Sequence, residues 1–128
     1  MPRNSHGPLG EQYACEFLEK QGYRILTRNY HTRYGEIDLV AEKDGILAFV
    51  EVKTRAFSSW ESAAGAVTAA KQHKLILAAQ QYLLDFPVER TPRFDVVAIT
   101  TAAGEDFCVL SCEHLKGAFD LNAANGFL

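Results

Sequence analysis

The sequence predicts an α/β (α+β) domain in which one mixed β-sheet carries helices on its faces. Three observations predict it. Helical and strand-like patterns alternate in the order α-β-β-β-α-β-β. An Asp44-Gly45 dipeptide joins two strand-like runs, a strong signal for a tight hairpin. One of those runs, Ile46 to Thr54, begins Ile-Leu-Ala-Phe-Val-Glu-Val and is apolar on both faces, as a central strand covered on both sides must be.

Each element has a local reason. Leu9 to Gln21 has helical periodicity in Ala14, Phe17 and Leu18, with Pro8 suited to the helix start and Gly22 to its stop. Tyr23 to about Tyr34 is β-prone, and Glu36 to Lys43 forms the first arm of the hairpin. Thr68 can cap a second helix running to about Asp85, with Ile76, Ala79 and Leu83 on its apolar stripe. Arg93 to Thr101 and Asp106 to Cys112 read as two further strands joined near Gly104. The stretch from Arg55 to Val67 has no clear period, and a loop of that length is often functional or mobile. It carries Phe57 and Trp60, suited to stacking on exposed bases or meeting a second subunit. The 128 residues are expected to form one domain, with residues 1–7 and 117–128 weakly ordered.

Composition excludes some classes. Charged residues make up 23%, so global disorder is not expected. No apolar run reaches transmembrane length, and the polar N-terminus lacks a signal-peptide core, so a soluble cytoplasmic protein is expected, with no membrane partner. The three cysteines, Cys15, Cys108 and Cys112, match no zinc spacing and read as reduced thiols, with the last two sharing a strand face.

A net charge of −3 does not mark a nucleic-acid binder, but its distribution is informative. From Lys20 to Arg33 every charged residue is basic; from Glu36 to Glu51 all are acidic except Lys43; Lys53 and Arg55 then restore positive charge. Acids flanked by bases suit a site that holds a cation and faces a polyanion.

The hairpin sharpens this. With Asp44 and Gly45 as the turn, Lys43 faces Ile46, Val40 faces Phe49, Asp38 faces Glu51 and Glu36 faces Lys53. Alternation then sends Glu36, Asp38, Glu51 and Lys53 out of one face, a deduction that depends on register. Two opposed carboxylates repel. A divalent cation such as Mg²⁺, or Mn²⁺ as substitute, resolves the conflict through hard oxygen ligands; protonation of one acid, or a pairing with Lys53, is the bland alternative. Lys53 is placed to orient a water and to stabilise charge on a phosphate. Glu11 shares its helix stripe with Ala14, Cys15 and Leu18 and is expected to face the sheet. Asp95 is expected to be structural, buried beside Arg93. Lys71, His73 and Lys74 occupy the first turns of the second helix, where cations are disfavoured and phosphates favoured.

The runs Gly35-Glu36-Ile37-Asp38-Leu39-Val40 and Phe49-Val50-Glu51-Val52-Lys53-Thr54-Arg55 resemble the YraN family of small bacterial proteins. That family is in turn similar to the archaeal Holliday-junction resolvases of the PD-(D/E)xK nuclease superfamily. Gly10-Glu11, Arg28-Asn29-Tyr30, Lys71 and Arg93-Phe94-Asp95-Val96-Val97 extend the likeness from about Gly7 to Ile99. Ile37 stands where the superfamily proline would be. The resemblance implies a restriction-endonuclease-like α-β-β-β-α-β core and a Mg²⁺-dependent endodeoxyribonuclease acting on DNA, with branched or junction DNA as the structured form. It makes Asp38, Glu51, Lys53 and Glu11 the catalytic group. Asp38 and Glu51, with the Val52 carbonyl, are the expected metal ligands. Arg28, Arg33, Arg55 and Lys71 are the expected nucleic-acid contacts, and a homodimer is an open option. The rivals are a non-catalytic DNA-structure-binding module on the same fold and a protein-interaction adaptor built on Phe57, Trp60 and the apolar tail.

Overall fold

The computed structural model describes residues 6–57 and 67–119. Helix α1 (His6–Lys20) leads into β1 (Arg24–Thr32), β2 (Gly35–Lys43) and β3 (Ile46–Ala56); α2 (Ala69–Asp85) follows, then β4 (Thr91–Thr101) and β5 (Val109–Phe119). The five strands form one sheet in the order β1-β2-β3-β4-β5. Only the β3–β4 pair is parallel, and α2 makes that crossover. The sheet is mixed, as expected, and β3 is its central strand.

Each helix covers one face. Ala14, Cys15 and Leu18 of α1 pack with Leu39, Ala41, Ala48, Val50, Val97 and Ile99. Leu75, Ile76, Ala79 and Tyr82 of α2 pack on the other face with Val40, Leu47, Phe49 and Phe94. The alternation of Leu47 and Phe49 against Ala48 and Val50 is the period of two that a doubly covered strand requires.

Local signals act as the sequence indicates. Gly22 sits at φ +95, and the Tyr23 N–H reaches the Leu18 carbonyl while the Gly22 N–H reaches that of Glu19. This is a Schellman stop, which only a residue at ease with positive φ closes cheaply. Thr68 caps α2, its hydroxyl accepting from the Lys71 N–H at 3.2 Å. Asp44 and Gly45 both have positive φ, the two-residue turn that fits strand twist.

Three expectations need correction. The fifth strand begins at Val109 and runs to Phe119, beyond the expected end at Cys112. Gly117 therefore lies within β5, and Phe119 is buried and stacked on Phe94 at 5.0 Å. Cys108 precedes that strand and is exposed, so it does not share a strand face with Cys112. The β3 strand continues through Arg55 and Ala56, which shortens the expected loop. Most of that loop, with Trp60, lies outside the described residues, as do residues 120–128. Among the described residues, no helix is long and apolar enough to cross a membrane.

Candidate active site

The hairpin register is the one deduced from its turn, but only as far as Leu39↔Val50. There β2 parts from β3 while remaining paired with β1 through Tyr30↔Ile37 and Thr32↔Gly35. In an antiparallel pair every second residue turns both N–H and C=O toward its partner. Val50 does so, and Val52 is next. The place of a β2 carbonyl at Val52 is taken by a side chain, for Asp38 Oδ2 accepts from the Val52 N–H at 2.8 Å. Asp38 therefore plugs the fork between two strands, and the Val52 carbonyl faces the same opening.

The fork also breaks the alternation. Arg28 and Leu39 are cross-strand partners, with Leu39 in the α1-side core; Tyr30 and Ile37, two residues on, belong to the α2-side core. The switch falls at Asn29 and Asp38, and Asn29 has a left-handed backbone, φ +53. Asn is among the few residues that take this conformation readily. The expectation that Glu36, Asp38, Glu51 and Lys53 share one face is thus corrected at its first member. Glu36 is turned to the α1 side, where the Asn29 amide, oriented with its nitrogen toward them, donates to Glu36 Oε2 at 2.9 Å and Glu11 Oε1 at 3.0 Å. His31 lies 3.6 Å from the same Glu36 carboxylate.

Glu51 and Lys53 alternate with Thr54 and so project toward α2. Lys71 of α2 meets Glu51 there, Nζ to Oε2 at 3.3 Å, with the Glu51 side chain only 11% exposed. On the opposite face Gly10 is what lets α1 approach: a Cβ at Gly10 would lie 2.1 Å from Thr54 Oγ1. This close approach sets Glu11 beside the fork.

The fork therefore gathers Glu11, Glu36, Asp38 and Glu51, close enough for each of the other three to raise the Asp38 pKa. Burial is the largest cause, the Glu51 charge the second, and together they push Asp38 up to about 7 against the single lowering bond from Val52. Burial likewise raises Glu11, with the Asn29 amide opposing it. The donors are all hard oxygens, which suits Mg²⁺. Among the described residues no three His, Cys, Asp or Glu side chains are arranged to hold a metal by themselves. The fit is to an open site of Asp38, Glu51 and the Val52 carbonyl, completed by water and a phosphate, and not to a closed protein cage.

The cations lie around this centre. Arg28 bonds Gln12 at 3.0 Å and lines an open cleft of about 450 Å³ with Gly7, Pro8, Glu11 and Asn29. Lys71 lies on the α2 side. Arg33 is in the β1–β2 turn over the Tyr34 ring, 5.0 Å from its centroid. Arg55 is further along β3, opposite Thr100. The sequence groups Glu36 with the other acids but gives Asn29 no site role. An Asn inside a β-prone run, where Asn is depleted, is the available signal for it.

A second acid stands apart. Asp95 is fully buried and accepts from Arg93 Nε and Nη2, both at 2.8 Å, from the Gly117 N–H at 3.0 Å, and pairs with His114 Nε2 at 2.8 Å. These bonds hold its carboxyl down at about 2 although burial pushes it up. This is the structural role expected of it.

The mixed five-stranded sheet with its two helices is an α/β fold consistent with a restriction-endonuclease-like core. The chain belongs to the uncharacterised protein family UPF0102, whose family model matches residues 10–99, in agreement with the YraN likeness of the motifs. Among similar proteins, the UPF0102 protein of Symbiobacterium thermophilum is 51% identical over 114 residues, covering 88% of this chain and 94% of its own. That of Myxococcus xanthus is 40% identical over 119 residues, covering 92% and 91%. That of Chloroherpeton thalassium is 52% identical over 94 residues, covering 73% of each.

Proposed function

We propose that this protein is a Mg²⁺-dependent endonuclease that cuts DNA, with branched or junction DNA as its structured substrate. The observation that carries the reading is Asp38, a carboxylate set in the strand fork beside Glu51 with its pKa pushed up to about 7. A fold has no need of such a pair, and perturbed acids of this kind cluster where chemistry is done.

Asp38, Glu51 and the Val52 carbonyl would hold the cation, with Mn²⁺ as a substitute. The chemistry a bound Mg²⁺ supplies is Lewis-acid polarisation of the scissile phosphate. Lys53, on the Glu51 side of β3, orients the attacking water and offers positive charge to the phosphate as it gains negative charge. Glu11 reaches the fork from α1 and holds a proton or a water at its carboxylate. Arg28, Arg33, Arg55 and Lys71 contact the phosphodiester backbone, which positions DNA without reading its sequence. A homodimer would present two such forks to the two strands of a junction.

The second reading is a DNA-structure-binding module that does not cut. It is favoured by the Lys71–Glu51 ion pair, which already neutralises one of the two acids. The test incubates the protein with Mg²⁺ or Mn²⁺ and end-labelled four-way junction, flap, single-stranded and duplex DNA. Wild type should cut, while Asp38→Asn and Lys53→Ala should bind without cutting. Binding without cutting by wild type would establish the second reading, and absence of both would end the nucleic-acid reading altogether.

A further inference from the structure

We infer that the cleft between the β1–β2 turn and α2 is a nucleotide subsite, taking one unpaired base against Tyr34 and its phosphate on Lys71 and Lys74. This rests on the proposal that the protein acts on DNA. It narrows the substrate class to DNA with a single-stranded segment beside the cut.

The cleft holds about 200 Å³ and is lined by Tyr34, Gly35, Glu36, Lys71, Lys74 and Leu75. That space takes a single flat base and excludes a duplex. Its aromatic wall is held in place. Within the turn, the Thr32 hydroxyl accepts from the N–H groups of Tyr34 at 3.0 Å and Gly35 at 3.2 Å, and donates to the Gly35 carbonyl at 2.8 Å. Arg33 lies over the Tyr34 ring and donates to its hydroxyl at 2.9 Å. A ring fixed in this way loses little freedom when a base stacks on it. Every base has a π-face, so the contact is indifferent to sequence. A paired base is already stacked inside its duplex and cannot reach the ring.

The other wall supplies the charge. Lys71 and Lys74 lie in the first turns of α2, where cations oppose the helix dipole. A phosphate set against them removes that conflict, since it is attracted both to the lysines and to the helix end. The cleft is joined to the acid fork through Lys71, which lines the cleft and is the present counterion of Glu51. A phosphate that draws Lys71 away would leave the Glu51 carboxylate to the cation. Filling the subsite and completing the cutting site are then one event.

The test is fluorescence anisotropy of the full chain in EDTA, where no metal and no cleavage enter. The probes are a labelled twelve-residue oligothymidylate, an abasic chain of equal length, and a duplex. Wild type should bind the oligothymidylate more tightly than the abasic chain. Tyr34→Ala should lose about tenfold on the oligothymidylate and nothing on the abasic chain, and Tyr34→Trp should restore binding. Lys71→Ala should weaken both chains and flatten the salt dependence by about one charge. Equal losses on both chains with Tyr34→Ala, or none on either, would overturn the subsite. Binding of the duplex alone would also overturn it while leaving the nuclease reading intact. Binding of no probe at all would remove both.

Discussion

Asp95, fully buried on β4, and Asp38, half-buried on β2, are carboxylates on the two strands that flank β3, and the protein treats them in opposite ways. Asp95 receives two bonds from Arg93, one from the Gly117 backbone and one from the His114 ring, and its pKa falls to about 2. Asp38 accepts from the Val52 N–H, faces three other acids, and rises to about 7. Burial raises both, so the difference lies in the charges set around each. A carboxylate supplied with cationic donors serves the fold. One set among other acids, at an opening, is available to a cation or a phosphate-bound water.

The largest effect should come from breaking the satisfied acid. Asp95→Ala leaves Arg93 and His114 facing each other in a space that was built around a charge. Removing one partner of a buried pair costs about 3–5 kcal/mol, which is a large share of a small domain's stability. Denaturant unfolding measures it. A loss below about 1 kcal/mol would mean that Asp95 does not hold β5 to β4. On the acid side the sign is fixed by the lowered pKa. The stability Asp95 contributes is present above its ordinary value of 3.8 and is lost as pH falls toward 2.

The acid set among other acids should behave in the reverse sense. Its folded pKa lies above its ordinary value, so the folded state prefers the proton. Stability linked to Asp38 is fully present below about pH 4 and declines as pH rises through 7. Asp38→Asn, which is neutral throughout, should therefore gain about 1–3 kcal/mol over wild type at pH 8 and nothing at pH 4. Mg²⁺ should raise the melting temperature of wild type at pH 8 and leave that of Asp38→Asn unchanged. Equal pH profiles for the two proteins would show that Asp38 is not desolvated at the fork.

Gly10 tests the approach that sets Glu11 beside the fork. Gly10→Ala gains about 1 kcal/mol in helix propensity and loses about 1–3 kcal/mol by driving a methyl group into Thr54, whose hydroxyl sits where that Cβ would go. A net loss of about 1 kcal/mol, with weaker cleavage, is expected. A stabilised variant with full activity would show that α1 need not lie so close.

Much of this frame was legible because it depends on neighbours in sequence. Gly22 stops α1, Thr68 starts α2 and Asp44-Gly45 fixes the hairpin register, each through bonds spanning a few residues. The acids Asp38 and Glu51 came together by counting outward from that turn. The fork itself was not legible. Counting assumes that backbone groups pair with backbone groups, and at Val52 a side chain is the acceptor. For the same reason simple alternation sends Glu36 to the wrong face. The late end of β5 is not legible in the period of two because its register shifts opposite Asp95, where Gly117 turns to φ +60 and gives its N–H to that carboxylate. Both misses lie where a carboxylate replaces a partner that the period of two would have supplied.

Asn29 should give the smallest change, and it sharpens the contrast between the two acids. Its amide bridges Glu11 and Glu36, so it gives this edge of the fork a fraction of what Arg93 gives Asp95. Asn29→Gly keeps the left-handed backbone at no steric cost and removes only bonds at an exposed edge. Its stability should stay within about 0.5 kcal/mol of wild type. Asn29→Ala loses the same bonds and adds the strain of a Cβ at positive φ, about 1 kcal/mol more. The gap between the two variants isolates the backbone contribution. The electrostatic contribution is seen separately, because the Asn29 bond lowers the Glu11 pKa against burial. In Asn29→Gly the Glu11 carboxyl, followed by NMR titration, should therefore move further up. An unchanged Glu11 titration would place the Asn29 amide in solvent, and a common loss in both variants would show that the left-handed turn of β1 carries no strain to relieve.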